Sequence, residues 1–176
     1  DHFAKAGAND RIWNALEKHC LFDAGNFAAY YSASSISLAA EAWLGPKYQI
    51  TAQVNKVNPS GEAQQPHRDY HLGFMSTEQA ALFPSHVHRL SPFLTLQGAI
   101  AHCDMPIESG PTQFLPFSQH YPEGYLAIHK EEFNDYFAAH FVQIALEKGD
   151  LVFFNPAVIH AAGENRTTDI FRMANL

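Results

Sequence analysis

Cysteine is nearly missing from this chain: Cys20 and Cys103 stand alone in 176 residues, and neither sits in a C-x-x-C spacing. A disulfide framework and a thiolate zinc site are therefore excluded, and a reducing compartment fits. Basic charge is scarce too. The eleven Lys and Arg are scattered without a run, and the formal net charge is −7. That balance argues against a surface tracking nucleic-acid phosphates and against a polybasic membrane patch, so the expected partner is a small molecule. No apolar run reaches the length of a membrane span, and the N-terminus lacks the basic, apolar, small-residue order of a secretory signal. A cytoplasmic location is the expectation, with a shortened or processed start left open.

What is present is 47% hydrophobic residues in 19.6 kDa, enough for one well-buried core and too little for two comfortable domains. A single domain over residues 1–176 is expected: a helical preface over 1–46, then a β core with helical insertions over 47–176. In the preface Asn9 or Asp10 can cap a helix in which Ile12, Trp13 and Leu16 recur at helical spacing, and Gly45-Pro46 stops the second helical stretch. From Tyr48 to Val54 the period becomes two. Further strand-like runs follow at Phe93 to Cys103, Thr112 to Leu115, Phe141 to Leu146, Leu151 to Phe154, Ala157 to His160 and Ile170 to Ala174. Gly- and Pro-bearing turns separate them. Helical insertions are predicted from Ser76 or Thr77 and from about Tyr125 to His140. Short strands after a helical preface predict a mainly β fold with N-terminal helices, a jelly-roll or double-stranded β-helix.

The chemistry concentrates in His67-Arg68-Asp69. In an extended segment side chains alternate, so His67 and Asp69 share a face and Arg68 points the other way, into a structural role. Should His160, at the end of the apolar run from Val152, arrive from a neighbouring strand, two imidazoles and one carboxylate converge. That is the donor set of non-haem Fe(II) oxygenases, with three positions open. Taken alone, His160 reads first as a core-edge histidine bonded to backbone, and it is the company of Arg172 that favours a ligand. Arg172 stands twelve residues further on among apolar neighbours, where a guanidinium needs an anion. The partner is a protein carboxylate or the distal carboxylate of 2-oxoglutarate. Arg166, in a turn, is the weaker candidate.

Three ordered blocks resemble the phytanoyl-CoA dioxygenase family: Gln65 to Phe74, Glu108 to Ser118, and Gly149-Asp150 through His160 to Arg172. The resemblance implies a double-stranded β-helix that binds Fe(II), 2-oxoglutarate and O2. It carries the metal-ligand roles onto His67, Asp69 and His160, and the oxoglutarate arginine onto Arg172. The reaction it implies is hydroxylation of a C–H bond, or a related desaturation, with 2-oxoglutarate decarboxylated to succinate and CO2. Asp69 matters here, because related halogenases lack that carboxylate. Family members often place a hydroxyl two residues after the distal histidine, where this chain has Ala162; Thr51, Gln53 or Thr112 is the expected replacement anchor. The usual Pro-Gly-Ser-His of the middle block reads Pro116-Phe117-Ser118-Gln119, and relatives extend beyond both ends of this chain.

Other residues divide between site and scaffold. His71 shares the strand face of His67 and Asp69, so it lines the pocket or is a solvated loop histidine. Phe74 and Gln97 are further substrate candidates, Gln97 being favoured over His102, which lies on the opposite face of the same strand. His86 and His88 read as a surface pair without a carboxylate partner. Phe133, Tyr136 and Phe137 read as helix packing. Substrate walls are expected from the insertions after Phe74 and Tyr121, the first of them a lid over the metal with a helix starting at Ser76-Thr77-Glu78-Gln79. The rival classes are a zinc-dependent hydrolase and a non-catalytic jelly-roll that binds a small molecule.

Overall fold

Asn9–Ile12, read from sequence as a helix start, is strand β1 in the computed structural model, which describes residues 9–69, 75–121 and 123–175. Four residues cannot distinguish a period of 2 from one of 3.6, and a sheet edge decides the matter. β1 pairs antiparallel with β2, Val54–Val57, placing Asn9 opposite Val57 and Ile12 opposite Val54. Asn14 then adopts a left-handed conformation and turns the chain into helix α1, Ala15–Tyr31. Helix α2, Ser34–Leu44, ends at Gly45, whose φ of 82° suits the expected stop.

The remaining strands are β3, Gln97–Ala101; β4, Gln113–Phe114; β5, Val142–Gln143; β6, Leu151–Phe154; β7, His160–Ala161; and β8, Arg172–Asn175. They form two antiparallel sheets, ordered β1-β2-β8-β3-β6 and β5-β4-β7. Each strand-like run of the sequence from Phe93 on overlaps one of these strands, the run Ala157 to His160 meeting β7 only at its last residue. The run from Tyr48 does not extend as expected. Residues 48–53 carry no strand because β1 pairs only with 54–57, leaving the preceding segment without an edge to join.

Helix is not confined to the N-terminal preface. Helix α3, Thr77–Ala80, begins with a capping box in which Ser76 and Gln79 bond reciprocally, as its sequence predicts. Helix α4, Ser85–Leu90, follows, and α5, Gly124–Ala127, precedes α6, Glu131–His140. The reading of His86 and His88 as a surface pair is corrected here: His88 is 2% exposed, and its ring bonds the Ala80 carbonyl at 2.9 Å.

Two apolar clusters hold the sheets. Ala99, Ala101, Met105 and Ala174 pack on the five-stranded sheet, joined by Leu146 and Val152. Leu115, Phe137, Ile159 and Ala161 pack on the three-stranded sheet, where α6 contributes Phe137 and Phe133 as helix packing. Gly110, at φ 72°, lets two loops meet, since a Cβ there would overlap the Glu164 carbonyl.

Pleat alternation in the large sheet separates two cavities. Gln97, Ala99, Val152, Phe154 and Ala174 face a narrow cavity of about 40 Å³ that reaches His67, Asp69 and His160. Gly98, Ile100, Leu151 and Phe153 face a chamber of about 660 Å³ under α1 and α2.

Candidate metal centre

His67 and His160 form an isolated antiparallel bridge in which each backbone N–H donates to the other's carbonyl at 2.9 Å. Directly opposed residues present their side chains on one face, so the two rings meet with centroids 4.7 Å apart. Asp69, two residues on, returns to that face, and its N–H donates to the Pro156 carbonyl at 3.0 Å. Ligating atoms of His67, Asp69 and His160 lie within 4.8 Å of one another, the one such group found among the described residues.

The hydrogen bonds leave the right nitrogens for a cation. Nδ1 of His67 lies 2.7 Å from the Gln65 carbonyl, and Nδ1 of His160 lies 2.8 Å from the Val158 carbonyl. A carbonyl only accepts, so each Nδ1 carries the proton and each Nε2 keeps a lone pair. Those lone pairs face carboxylate oxygens of Asp69 at 3.5 and 3.3 Å. Acceptors aimed at acceptors call for a positive charge between them, and a metal ion held by two imidazoles and one carboxylate satisfies all three.

Electrostatics agree. Burial pushes the Asp69 carboxyl up, but the His160 and His67 rings, whenever a proton rather than a cation sits on their Nε2 atoms, and the Gln97 amide outweigh it and hold the group well below its usual range. Burial and the neighbouring His160 push His67 below its ordinary value, which keeps the ring neutral and able to ligate.

Arg68, between the two ligands, points the other way as expected and is 1% exposed. Its Nη2 donates to the Ser118 carbonyl at 2.6 Å and the Tyr121 carbonyl at 2.8 Å. The Ser118 hydroxyl in turn accepts from the Ile159 N–H at 2.8 Å, one residue before His160. One turn of chain, Ser118 to Tyr121, thus ties both ligand-bearing segments together. Ser118 belongs to a block the sequence singles out, yet its hold on Ile159 has no sequence signal.

The other predicted site residues are spread over both cavities. Gln97 donates Nε2–H to Asp69 Oδ2 at 2.6 Å and lines both. Thr112 lines the metal-side cavity, where Ala162 also stands, while Thr51 and Gln53 line the larger chamber. Arg172 opposes Val57 and stands two residues before the cavity-lining Ala174, although its side chain lies outside those described. His71 and Phe74 lie outside the described residues. His102 stacks on Tyr30 with centroids 5.9 Å apart, away from the cavity.

Two lining residues escape the sequence reading. Arg11, on β1, lines both cavities and bonds Gln53 Oε1 at 3.4 Å. Gln64 lines the metal-side cavity and is paired with Ala162 through both its N–H and its Oε1. Arg11 with Asn55, Gln64 and Thr112 offers a cation and neutral polar groups beside the triad, chemistry that suits a dicarboxylate. Among the described residues the larger chamber is walled by Trp13, Tyr31, α2 and residues 48–53.

No curated protein matches the chain significantly. Solved structures do. The non-heme alpha ketoglutarate dependent carbocyclase SnoK from nogalamycin biosynthesis superimposes with a TM-score of 0.64 at 18% identity, over 99% of this chain and 65% of its own. The epimerase SnoN, solved with Fe3+, alpha ketoglutarate and nogalamycin RO, gives 0.63 at 21%, over 95% and 61%. AviO1 from Streptomyces viridochromogenes Tue57 gives 0.62 at 17%, over 94% and 63%. At these identities the likeness shows the fold, and the chain spans under two thirds of the length of each. The family model for phytanoyl-CoA dioxygenase matches residues 1–174. Fe(II) held by two histidines and a carboxylate, with 2-oxoglutarate as cosubstrate, is the cofactor set of that family, and His67, Asp69 and His160 fit it. The chain therefore belongs to the phytanoyl-CoA dioxygenase family.

Proposed function

We propose that this protein is an Fe(II)- and 2-oxoglutarate-dependent dioxygenase that hydroxylates a C–H bond of a small molecule. The observation that carries the reading is the paired arrangement of His67 and His160, both Nδ1 protons committed to backbone and both Nε2 lone pairs aimed with Asp69 at one point. The two sheets that flank this point are read as the halves of a double-stranded β-helix. Bound Fe(II) with 2-oxoglutarate and O2 supplies the oxidising power, coupling decarboxylation of 2-oxoglutarate to succinate and CO2 with oxidation of the substrate.

The chain's own residues hold and orient. His67, Asp69 and His160 hold the metal. Arg172 is the candidate partner of the distal carboxylate of 2-oxoglutarate, and Arg11 and Thr112, which line the metal-side cavity, are further candidate anchors. With Thr51 and Gln53 in the larger chamber, Thr112 is the better replacement for the hydroxyl that Ala162 lacks. The chamber of about 660 Å³ lies within the size range of small-molecule sites and takes the substrate against Trp13, Tyr31, Tyr48 and Phe153. Among the described residues no helix is long and apolar enough to cross a membrane.

The test is succinate formation from 2-oxoglutarate under air, with Fe(II), by the wild type and Asp69→Ala. The wild type should turn over slowly even without substrate, and Asp69→Ala should neither retain iron nor form succinate, while its β core stays folded. An Asp69→Ala protein with full turnover would overturn the assignment.

A further inference from the structure

Gln97 is placed where the two cavities meet, and with Arg11 and Asp69 it is one of three residues that line both. It opens β3 opposite Phe154, on the face the pleat turns toward the metal site. Its Nε2 lies 2.6 Å from Asp69 Oδ2, shorter than an ordinary N–H···O bond and in keeping with a charged acceptor. An ionised carboxylate has no proton to give, so the amide must offer its N–H and not its oxygen. The consequence is a cost: Gln97 Oε1 is buried without a hydrogen-bond partner. A side chain that spends its donor on Asp69 and strands its acceptor serves the carboxylate rather than the fold.

We infer that Gln97 is a positioning residue for the metal site: it occupies Oδ2 of Asp69 and so presents Oδ1 to the metal. His160 Nε2 approaches the same Oδ2 at 3.3 Å, whereas Oδ1 faces the lone pair of His67 Nε2 at 3.5 Å. Carboxylate ligands are commonly oriented by such an outer partner, and loss of the partner weakens metal affinity about 10- to 100-fold. The assignment of Gln97 to substrate, drawn from its strand face, thereby becomes a hold on the ligand. This inference rests on the proposed metal site.

The experiment is anaerobic Co(II) binding, measured by chelator competition and by the visible absorption of the bound ion, on wild type, Gln97→Met and Gln97→Asn. Methionine keeps the length and removes the amide; asparagine keeps the amide and loses the reach. Both variants should bind Co(II) about 10- to 100-fold more weakly and change the shape of the absorption. The metal-free melting temperature of Gln97→Met should stay close to wild type, because the substitution also removes the stranded acceptor. Affinities within twofold of wild type with an unchanged spectrum would overturn the inference while leaving the metal site standing. So would a metal-free Gln97→Met that melts far below wild type, since that marks a structural glutamine. If Gln97→Met does not fold, Gln97→Asn decides by the same two readouts. A wild type that takes no Co(II) would defeat the metal-site reading and this inference with it.

Discussion

At the scale of the residue, the site is a problem of charge balance. Asp69 collects contacts from His67, His160 and Gln97, yet only the Gln97 amide is a donor to it, so the balancing positive charge must come from an ion between the three ligands. The anionic cosubstrate needs the same service from arginine. Removing the guanidinium that grips its distal carboxylate should cost about 2–4 kcal/mol, or roughly thirty- to a thousand-fold in 2-oxoglutarate affinity. Titration of Arg172→Ala, Arg11→Ala and Arg166→Ala with 2-oxoglutarate ranks them. The largest loss is expected at Arg172, a smaller one at Arg11, and almost none at Arg166, which is exposed in its turn. A dominant loss at Arg166 would mean that the last strand is in another register.

The convergence of the candidate ligands was legible because a two-residue alternation is local information: in an extended segment His67 and Asp69 share a face. His160 was legible as the end of an apolar run, and the family resemblance supplied its partner. Arg11 was not. Its four-residue strand forms only because Val54–Val57 offers an edge from forty residues away, and nothing within the stretch records that. The Gln97 contact was half legible: parity put it on the right face, but only packing shows that its amide ends on Asp69 and not in open cavity.

At the scale of the element, the turn Ser118 to Tyr121 is the joint between the two ligand-bearing segments. Ser118→Ala should leave the buried Ile159 N–H without an acceptor, costing about 1–3 kcal/mol of stability by urea unfolding, and should weaken metal binding alongside. Unchanged stability would show that the hydroxyl is dispensable. Arg68 is confined on its far side by Gly124, where an added Cβ would overlap the guanidinium, so Gly124→Ala should disturb the same joint.

Helix α1 carries a pH dependence of its own. His19 stacks on Phe27 at 4.2 Å and bonds the Tyr31 hydroxyl at 3.1 Å, with His102, itself stacked on Tyr30, as a neighbour. Burial, then His102, lowers its pKa from the ordinary 6.5. In the unfolded chain it protonates near that ordinary value, while the folded protein resists the proton. Stability therefore falls as pH drops below about 6.5 toward the lowered value, and this group contributes no slope above it. His19→Gln should flatten that part of the urea-unfolding stability curve between pH 7 and 5. A slope identical to wild type would remove His19 from the account.

The element boundaries show the limit of pattern reading. The capping box at Ser76 and the stop at Gly45 were legible because each is a local hydrogen-bond or backbone demand. In the run Tyr48 to Val54 only Val54 joins a strand; residues 48–53 alternate as a strand should, yet line a chamber instead, since alternation cannot supply a missing neighbour.

At the scale of the whole molecule, two sheets bring His67 and His160, 93 residues apart (160 − 67), onto one bridge, and helices α1 and α2 lie over the other face of the larger sheet. The fold places an acidic chain around a metal site beside a chamber large enough for a small molecule. The central claim is that His67, Asp69 and His160 hold Fe(II) and leave room for 2-oxoglutarate on the same ion. Anaerobic titration of the protein with Fe(II) and then 2-oxoglutarate, followed by visible absorption, tests it most directly. A weak charge-transfer band that appears only when both are present, and is absent in Asp69→Ala, is the predicted result; Fe(II) that binds without any such band, or no Fe(II) binding at all, would contradict it.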